Sequence, residues 1–176
     1  MADGTTATPA PGDVYAQRFT PRFYEIDGQG VMFNMWYLAY VDEAVDGFFA
    51  HRGVSYSRWK ELGIDVHIAH VDIDWKSPIR GEDRPEVLIS TARIGKKSFT
   101  LDFAFRRDGE LTATGSAVYV AFAPDGSGTV PVPDRLIEAL GPVLLSTAVR
   151  REGARRRGPR SGRRRGSTGG RRGGTL

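Results

Sequence analysis

One long apolar stretch separates a first strand-like segment from four later ones. From Val31 to Val41 there is hardly a polar side chain, and Asn34 to His51 reads as a helix. Asn34 is of a type that caps helix N-termini, and Asp42, Glu43 and Asp46 fall on one face at i, i+1 and i+4. Met35, Trp36, Leu38, Ala39, Val41, Ala44, Val45 and Phe48 leave the rest apolar nearly all round, which predicts a buried helix rather than a surface one. About 17 residues at about 1.5 Å each span roughly 25 Å, long enough for one sheet to wrap.

The flanking segments supply such a sheet. "VYAQRFTPRFYEI" reads as a strand, with Pro21 confining part of it to an edge or bulge. After Gly53, "VSYSRWKELGI" reads as a short helical turn or loop. "DVHIAHVDIDWKS" alternates over much of its length; "PEVLISTARI" and "SFTLDFAFRR" are joined by the hairpin connection "GKK"; "ELTATGSAVYVAFA" follows the turn "RDG". "PDRLIEAL" is a short amphipathic helix with Pro133 at its start. The order is strand, long helix, then four strands in antiparallel succession. That is an α+β architecture, a five-stranded antiparallel sheet around a buried helix.

Charge divides the chain. The net charge of +4 conceals 11 of the 25 Lys+Arg between residues 150 and 176, against one acidic residue there, Glu152; the remainder carries 14 − 20 = −6. The expected organisation is a disordered segment at 1–13, a folded domain at 14–142 and a disordered Arg/Gly-rich tail at 143–176. The tail could contact nucleic acid by charge alone. Nothing in the domain resembles an RNA-binding fold, so an inert, solvated extension is expected. The absence of cysteine excludes disulfides, zinc–thiolate sites and thiol nucleophiles. No apolar run approaches the roughly 18 residues of a membrane span, and "MADGTTATPAPGD" lacks the regions of a signal peptide. A cytoplasmic protein without membrane contact is expected.

The chemistry concentrates at Asp27. It ends a strand-like segment, and Gly28 and Gly30 separate it from the helix, letting the backbone turn tightly. The local reading is an Asx-turn or cap. The catalytic reading is a carboxylate, nucleophile or general base, beside the unpaired N–H groups and positive dipole of a helix N-terminus. Backbone donors near Phe33 and Asn34 would stabilise an oxyanion. His67 and His70, three apart on a strand, face opposite sides and make no metal pair. His51 is a dipole partner at a helix end. "GSAVY" is no nucleophile elbow. Neither metal nor cofactor is expected.

"RFYEIDGQGVMFNMWYLAYVDEA" resembles the 4-hydroxybenzoyl-CoA thioesterase-like, or YbgC-like, branch of the hotdog-fold acyl-CoA thioesterases. Asp27, Gly30, Val31, Met32 and Tyr37 match that family's loop and helix start. "VDIDWKSPIRGED", "ARIGKKSFTLDF" and "ATGSAVYVAF" resemble its later strands, so the likeness runs from about Arg18 to Leu140. Two positions depart: relatives often carry His or Tyr at Asn34, and alanine or proline at Gly28, both beside the thioester in the family. The resemblance implies a hotdog fold and hydrolysis of an acyl-CoA with an aromatic or short-to-medium acyl group. It implies catalysis by Asp27 with Phe33 and Asn34, and substrate contacts at Gly30, Trp36, Tyr37, Lys96, Lys97 and Ser98, the last three toward the phosphates of CoA. Arg93 and Arg106 are weaker phosphate candidates, and Glu43 reads as a solvated or interface charge. A homodimer or homotetramer with the site at the dimer interface is implied too. A non-hydrolytic acyl-CoA or acyl-carrier binding protein, and an acyl-carrier-protein thioesterase, are the alternatives.

Overall fold

The computed structural model describes residues 14–144. The expectations for 1–13 and for the Arg/Gly tail beyond residue 144 fall outside the described residues. Five antiparallel strands, β1 (Tyr15–Arg18), β2 (Asp65–Trp75), β3 (Glu86–Ile94), β4 (Ser98–Arg107) and β5 (Glu110–Phe122), form one sheet in the order β1-β3-β4-β5-β2. Helix α1 (Asn34–His51) lies on it; α2 (Tyr56–Trp59) and α3 (Asp134–Leu140) are short. This is the expected α+β layout.

The hairpins place β3, β4 and β5 side by side. Asp108 and Gly109 between β4 and β5 have φ of 51° and 83°, positive at both turn positions as a tight hairpin demands. Simple succession fails at β2. It pairs with β5 rather than β3, because the connection 76–85 is no hairpin turn and carries the chain across to the other edge. One side of β2 therefore has no strand partner among the described residues, and that edge is 11 residues long, against 4 in β1 at the other edge.

Phe99, Leu101, Phe103 and Phe105 alternate along β4 into the core. Phe99 meets Phe49 of α1 at 5.9 Å between ring centroids, and Phe105 meets Tyr37 at 4.9 Å. Tyr37, Tyr40, Val41, Ala44, Val45, Phe48 and Phe49 are the buried side of α1, a 3.6-residue repeat. The helix is not buried all round, as its composition suggests. Met35 is 57% exposed and Leu38 42%, because one sheet covers one side of a helix.

The first strand is shorter than "VYAQRFTPRFYEI" suggests. After Arg18 the chain breaks at buried Pro21 and makes a 3₁₀ turn, Phe23–Glu25, closed by the Arg22 N–H donating to the Glu25 carboxylate at 2.7 Å. In β2 the register slips between Ile68 and His70, setting His67 opposite Val120 and His70 opposite Val118. A bulge at Ala69 thus puts both imidazoles on one face of the sheet, not on opposite faces.

Candidate active site

The Asp27 loop is a small closed unit. Ile26 bridges to Met32, the Asp27 N–H donates to Val31 O, and the Gly30 N–H donates to Asp27 O, both at 2.9 Å. Asp27 Oδ1 accepts from the N–H of Gln29 at 2.7 Å and of Val31 at 3.4 Å. That is an Asx-turn. Gly30 has φ of 75°, which glycine reaches without a Cβ penalty; Gly28 has no positive φ, so its role in the turn differs from the one expected. The turn occupies one oxygen of Asp27. Oδ2 has no partner among the described residues, so the local reading and a chemical one are compatible.

Helix α1 starts one residue earlier than a capping Asn34 requires. Phe33 is the N-cap and makes no side-chain capping bond, and Asn34 is the first helical residue. Of the first-turn amides, which lack intrahelical partners, Phe33 N–H is taken by Glu25 O at 2.9 Å and Trp36 N–H by Phe33 O at 3.0 Å. The Phe33 amide is therefore not a free donor. The amides of Asn34 and Met35 have no partner among the described residues.

An open groove of about 330 Å³ begins here, lined by Val31, Met32, Asn34, Tyr37, Trp75, Lys76, Ser77 and Pro78. Its far wall, the β2–β3 connection, is fixed. Met32 N–H donates to Ile79 O at 2.8 Å, while Arg107 donates to Pro78 O at 2.9 Å and pairs with Asp83 at 3.1 Å. Burial raises the Tyr37 phenol above its ordinary pKa. Trp75 to Pro78 are wall residues missed in the sequence. The aromatic-then-Ser-Pro end of the strand was the available signal.

The remaining expected contacts divide. Gly30 belongs to the Asp27 loop and Tyr37 lines the groove, but Trp36 packs on Tyr24 at 5.4 Å between centroids, outside the groove lining. Glu43 is exposed and lines neither cavity described here. Lys96, Lys97 and Ser98 are not brought to Asp27 within one chain. Ser98 pairs with Val120, which pairs with His67, and His67 is roughly 25 Å from Trp75 along β2 at about 3.3 Å per residue. Lys97 donates to the carbonyl and hydroxyl oxygens of Thr129, each at 3.0 Å. Arg106 is paired with Glu86 at 2.7 Å, while Arg93 is exposed near the same distal turn.

A second cavity, about 590 Å³, lies at the His67 end, lined by apolar Val45, Phe49, Trp59 and Val66 with Asp42, Asp46 and His67. Tyr119 also lines it; its hydroxyl is buried without a hydrogen-bond partner among the described residues. Burial, then Asp42, raises its pKa.

Comparisons with known proteins place this geometry in context. A family model described as the thioesterase-like superfamily matches residues 21–140. A curated relative from Aquifex aeolicus (strain VF5), provisionally named an esterase, is 28% identical over 96 residues, 54% of this chain and 73% of that protein. A 1,4-dihydroxy-2-naphthoyl-CoA thioesterase from Synechocystis superposes with a TM-score of 0.67 at 19% identity, covering 73% of this chain and 96% of that one. A hypothetical protein from Staphylococcus aureus, solved in complex with CoA, gives a TM-score of 0.67 at 13% identity, over 77% and 90% of the two chains. At such identities these structures establish the hotdog fold.

Proposed function

From the premise that this chain belongs to the thioesterase-like superfamily, we propose that it hydrolyses an acyl-CoA thioester, with an aromatic or short-to-medium acyl group, to the free acid and CoA. The observation that carries the proposal is the Asp27 carboxylate, one oxygen holding its own turn and the other unbonded among the described residues, on the loop that leads into a helix end whose Phe33 N-cap makes no side-chain capping bond. The Synechocystis thioesterase and the CoA-bound S. aureus protein support the substrate class by likeness.

In this reading the thioester carbonyl sits at the start of α1, and its oxygen accepts from the Asn34 and Met35 amides. Each such donor contributes on the order of 3 kcal/mol to the transition state. Asp27 Oδ2 either attacks the carbonyl, giving an acyl anhydride that water then hydrolyses to the acid and the free carboxylate, or takes the proton of an attacking water. In both routes the C–S bond breaks and CoA leaves as the thiolate, which takes up a proton. The groove walls Tyr37 and Trp75 shield the reacting centre, and Lys76 lies at its mouth beside the path of an anionic substrate.

The protein acts as a homodimer in this proposal. Antiparallel pairing of two free β2 edges about a twofold axis sets the Trp75 end of one strand against the His67 end of the other. That brings the larger cavity and Lys96–Ser98 of one copy to the Asp27 loop of its partner.

The test is a hydrolysis screen over aromatic, short-chain and long-chain acyl-CoAs, repeated with Asp27→Asn. The variant should keep fold and oligomer and lose at least about a hundredfold in kcat, the scale of lost acid–base catalysis. Near-parental turnover by folded Asp27→Asn rejects the assignment.

A further inference from the structure

We propose that Glu25 is a positioning residue for this site, holding the Asp27 loop against α1 so that the attacking carboxylate and the helix-end amides keep one geometry; the catalytic consequence rests on the thioesterase reading. Glu25 is 1% exposed, the most deeply buried carboxylate among the described residues. Burying a carboxylate is unfavourable unless its oxygens are bonded. Both of its close bonds converge on one oxygen: Oε2 accepts from Tyr40 Oη at 2.6 Å and from Arg22 N–H at 2.7 Å. The guanidinium of Arg22 stays 3.9 Å from Oε1 and is largely solvent-exposed.

These bonds tie three segments together. Tyr40 lies well inside α1, where its ring stacks on Phe19 at 3.8 Å between centroids. Arg22 begins the turn that leads into the loop. The Glu25 backbone carbonyl accepts from Phe33 N–H, the residue that caps α1. One residue therefore grips the helix twice, by side chain at Tyr40 and by main chain at Phe33. Asp27 follows it by two positions. If the Glu25 side chain lets go, the loop is still closed by its own Asx-turn but is held on the helix through the Phe33 amide and the chain itself, without the second tie at Tyr40.

The convergence on one oxygen makes the test selective. Glu25→Gln keeps a carbonyl oxygen able to accept both bonds and removes the charge. Glu25→Leu removes both side-chain acceptor oxygens, and Tyr40→Phe removes the bond to Glu25, with the longer one from Tyr40 Oη to Thr20 O at 3.3 Å, while leaving the carboxylate. Misplacement of a reacting group by about 1 Å can cost on the order of a hundredfold. We expect at least about a tenfold fall in kcat for Glu25→Leu, a smaller fall for Tyr40→Phe, KM within about threefold in both, and near-parental kcat for Glu25→Gln. Amide hydrogen exchange at Phe33, whose N–H is held by the Glu25 carbonyl, should quicken in the Leu and Phe variants and not in the Gln variant, while Val31 inside the Asx-turn keeps its parental rate.

Parental kcat and parental exchange in Glu25→Leu overturn the proposal, as does a KM effect without a kcat effect. Glu25→Gln as impaired as Glu25→Leu overturns it too, since charge rather than geometry would then matter. If Glu25→Leu does not fold, Tyr40→Phe decides by the same two measurements. If the parent hydrolyses no acyl-CoA, the proposed function fails, while exchange at Phe33 still shows whether Glu25 orders the loop.

Discussion

Asp27 shows what a single residue discloses and conceals. An acidic residue between a strand-like run and two glycines announces a turn, and the Asx-turn is there. That one oxygen stays unbonded among the described residues depends on backbone geometry that composition does not carry. Glu25 was not legible at all. It sits in a run that reads as strand, and nothing in the alternation distinguishes a carboxylate turned inward from one in water. Tyr40, its partner, reads simply as core. The tyrosines give a pH test. Burial is the first cause raising Tyr15, Tyr37, Tyr40 and Tyr119 above their ordinary pKa, and for Tyr40 the bond to Glu25 follows. A group whose pKa is higher folded than unfolded contributes stability that is complete below the unfolded value, about 10 for tyrosine, and is lost as pH rises through the folded value. Denaturant midpoints should thus hold to about pH 9 and fall above about pH 10. Tyr119→Phe should flatten that fall, and an unchanged slope would show that its phenol titrates as in water.

At the scale of elements, the strands and the long helix were legible, because periods of two and of 3.6 residues report burial directly. Neighbourhood was less so. The turns "GKK" and "RDG" enforce adjacency, whereas the connection 76–85 merely permits a crossing, and β2 took the far edge. The bulge at Ala69 was invisible because a slipped register leaves alternation intact on either side. Glycine within β5 was equally silent. Gly115 lies between Ile73 of β2 and Phe103 of β4, and a Cβ there would run into the Asp72 carbonyl and the Phe103 ring. Neither is the end of a flexible chain. Gly115→Ala should therefore destabilise by roughly 2–3 kcal/mol, the cost of overpacking a tight core, despite alanine's lower backbone entropy. Equilibrium unfolding measures it, and a neutral result would mean that β2 separates from β5 at little cost.

At the scale of the whole molecule, the sequence pointed to one site, whereas one chain holds its parts at opposite ends. Asp27, Asn34 and Tyr37 stand at the Trp75 end of β2, and Lys96–Ser98 with the larger cavity stand at the His67 end. Linear order carries no information about a partner, so this separation could not be read before the topology. It yields a test of the proposed dimer that no single variant provides. Asp27→Asn copies should be inactive, and copies carrying Lys96→Ala with Lys97→Ala should show raised KM, because phosphate contacts far from the carbonyl contribute uniform binding. In a mixed dimer assembled in trans, one site inherits both defects and the other inherits neither. Random co-assembly then makes about half the dimers mixed and restores about a quarter of all sites to the parental state, as twofold symmetry requires. If instead each chain builds its site alone, every site in the mixed dimer keeps one defect. The two variants are co-expressed with different tags, mixed dimers are purified through both, and hydrolysis is measured well below the double variant's KM. Recovery of turnover with the parental KM in that fraction establishes the shared site; activity no greater than the lysine variant's own share places both ends of the substrate on a single chain.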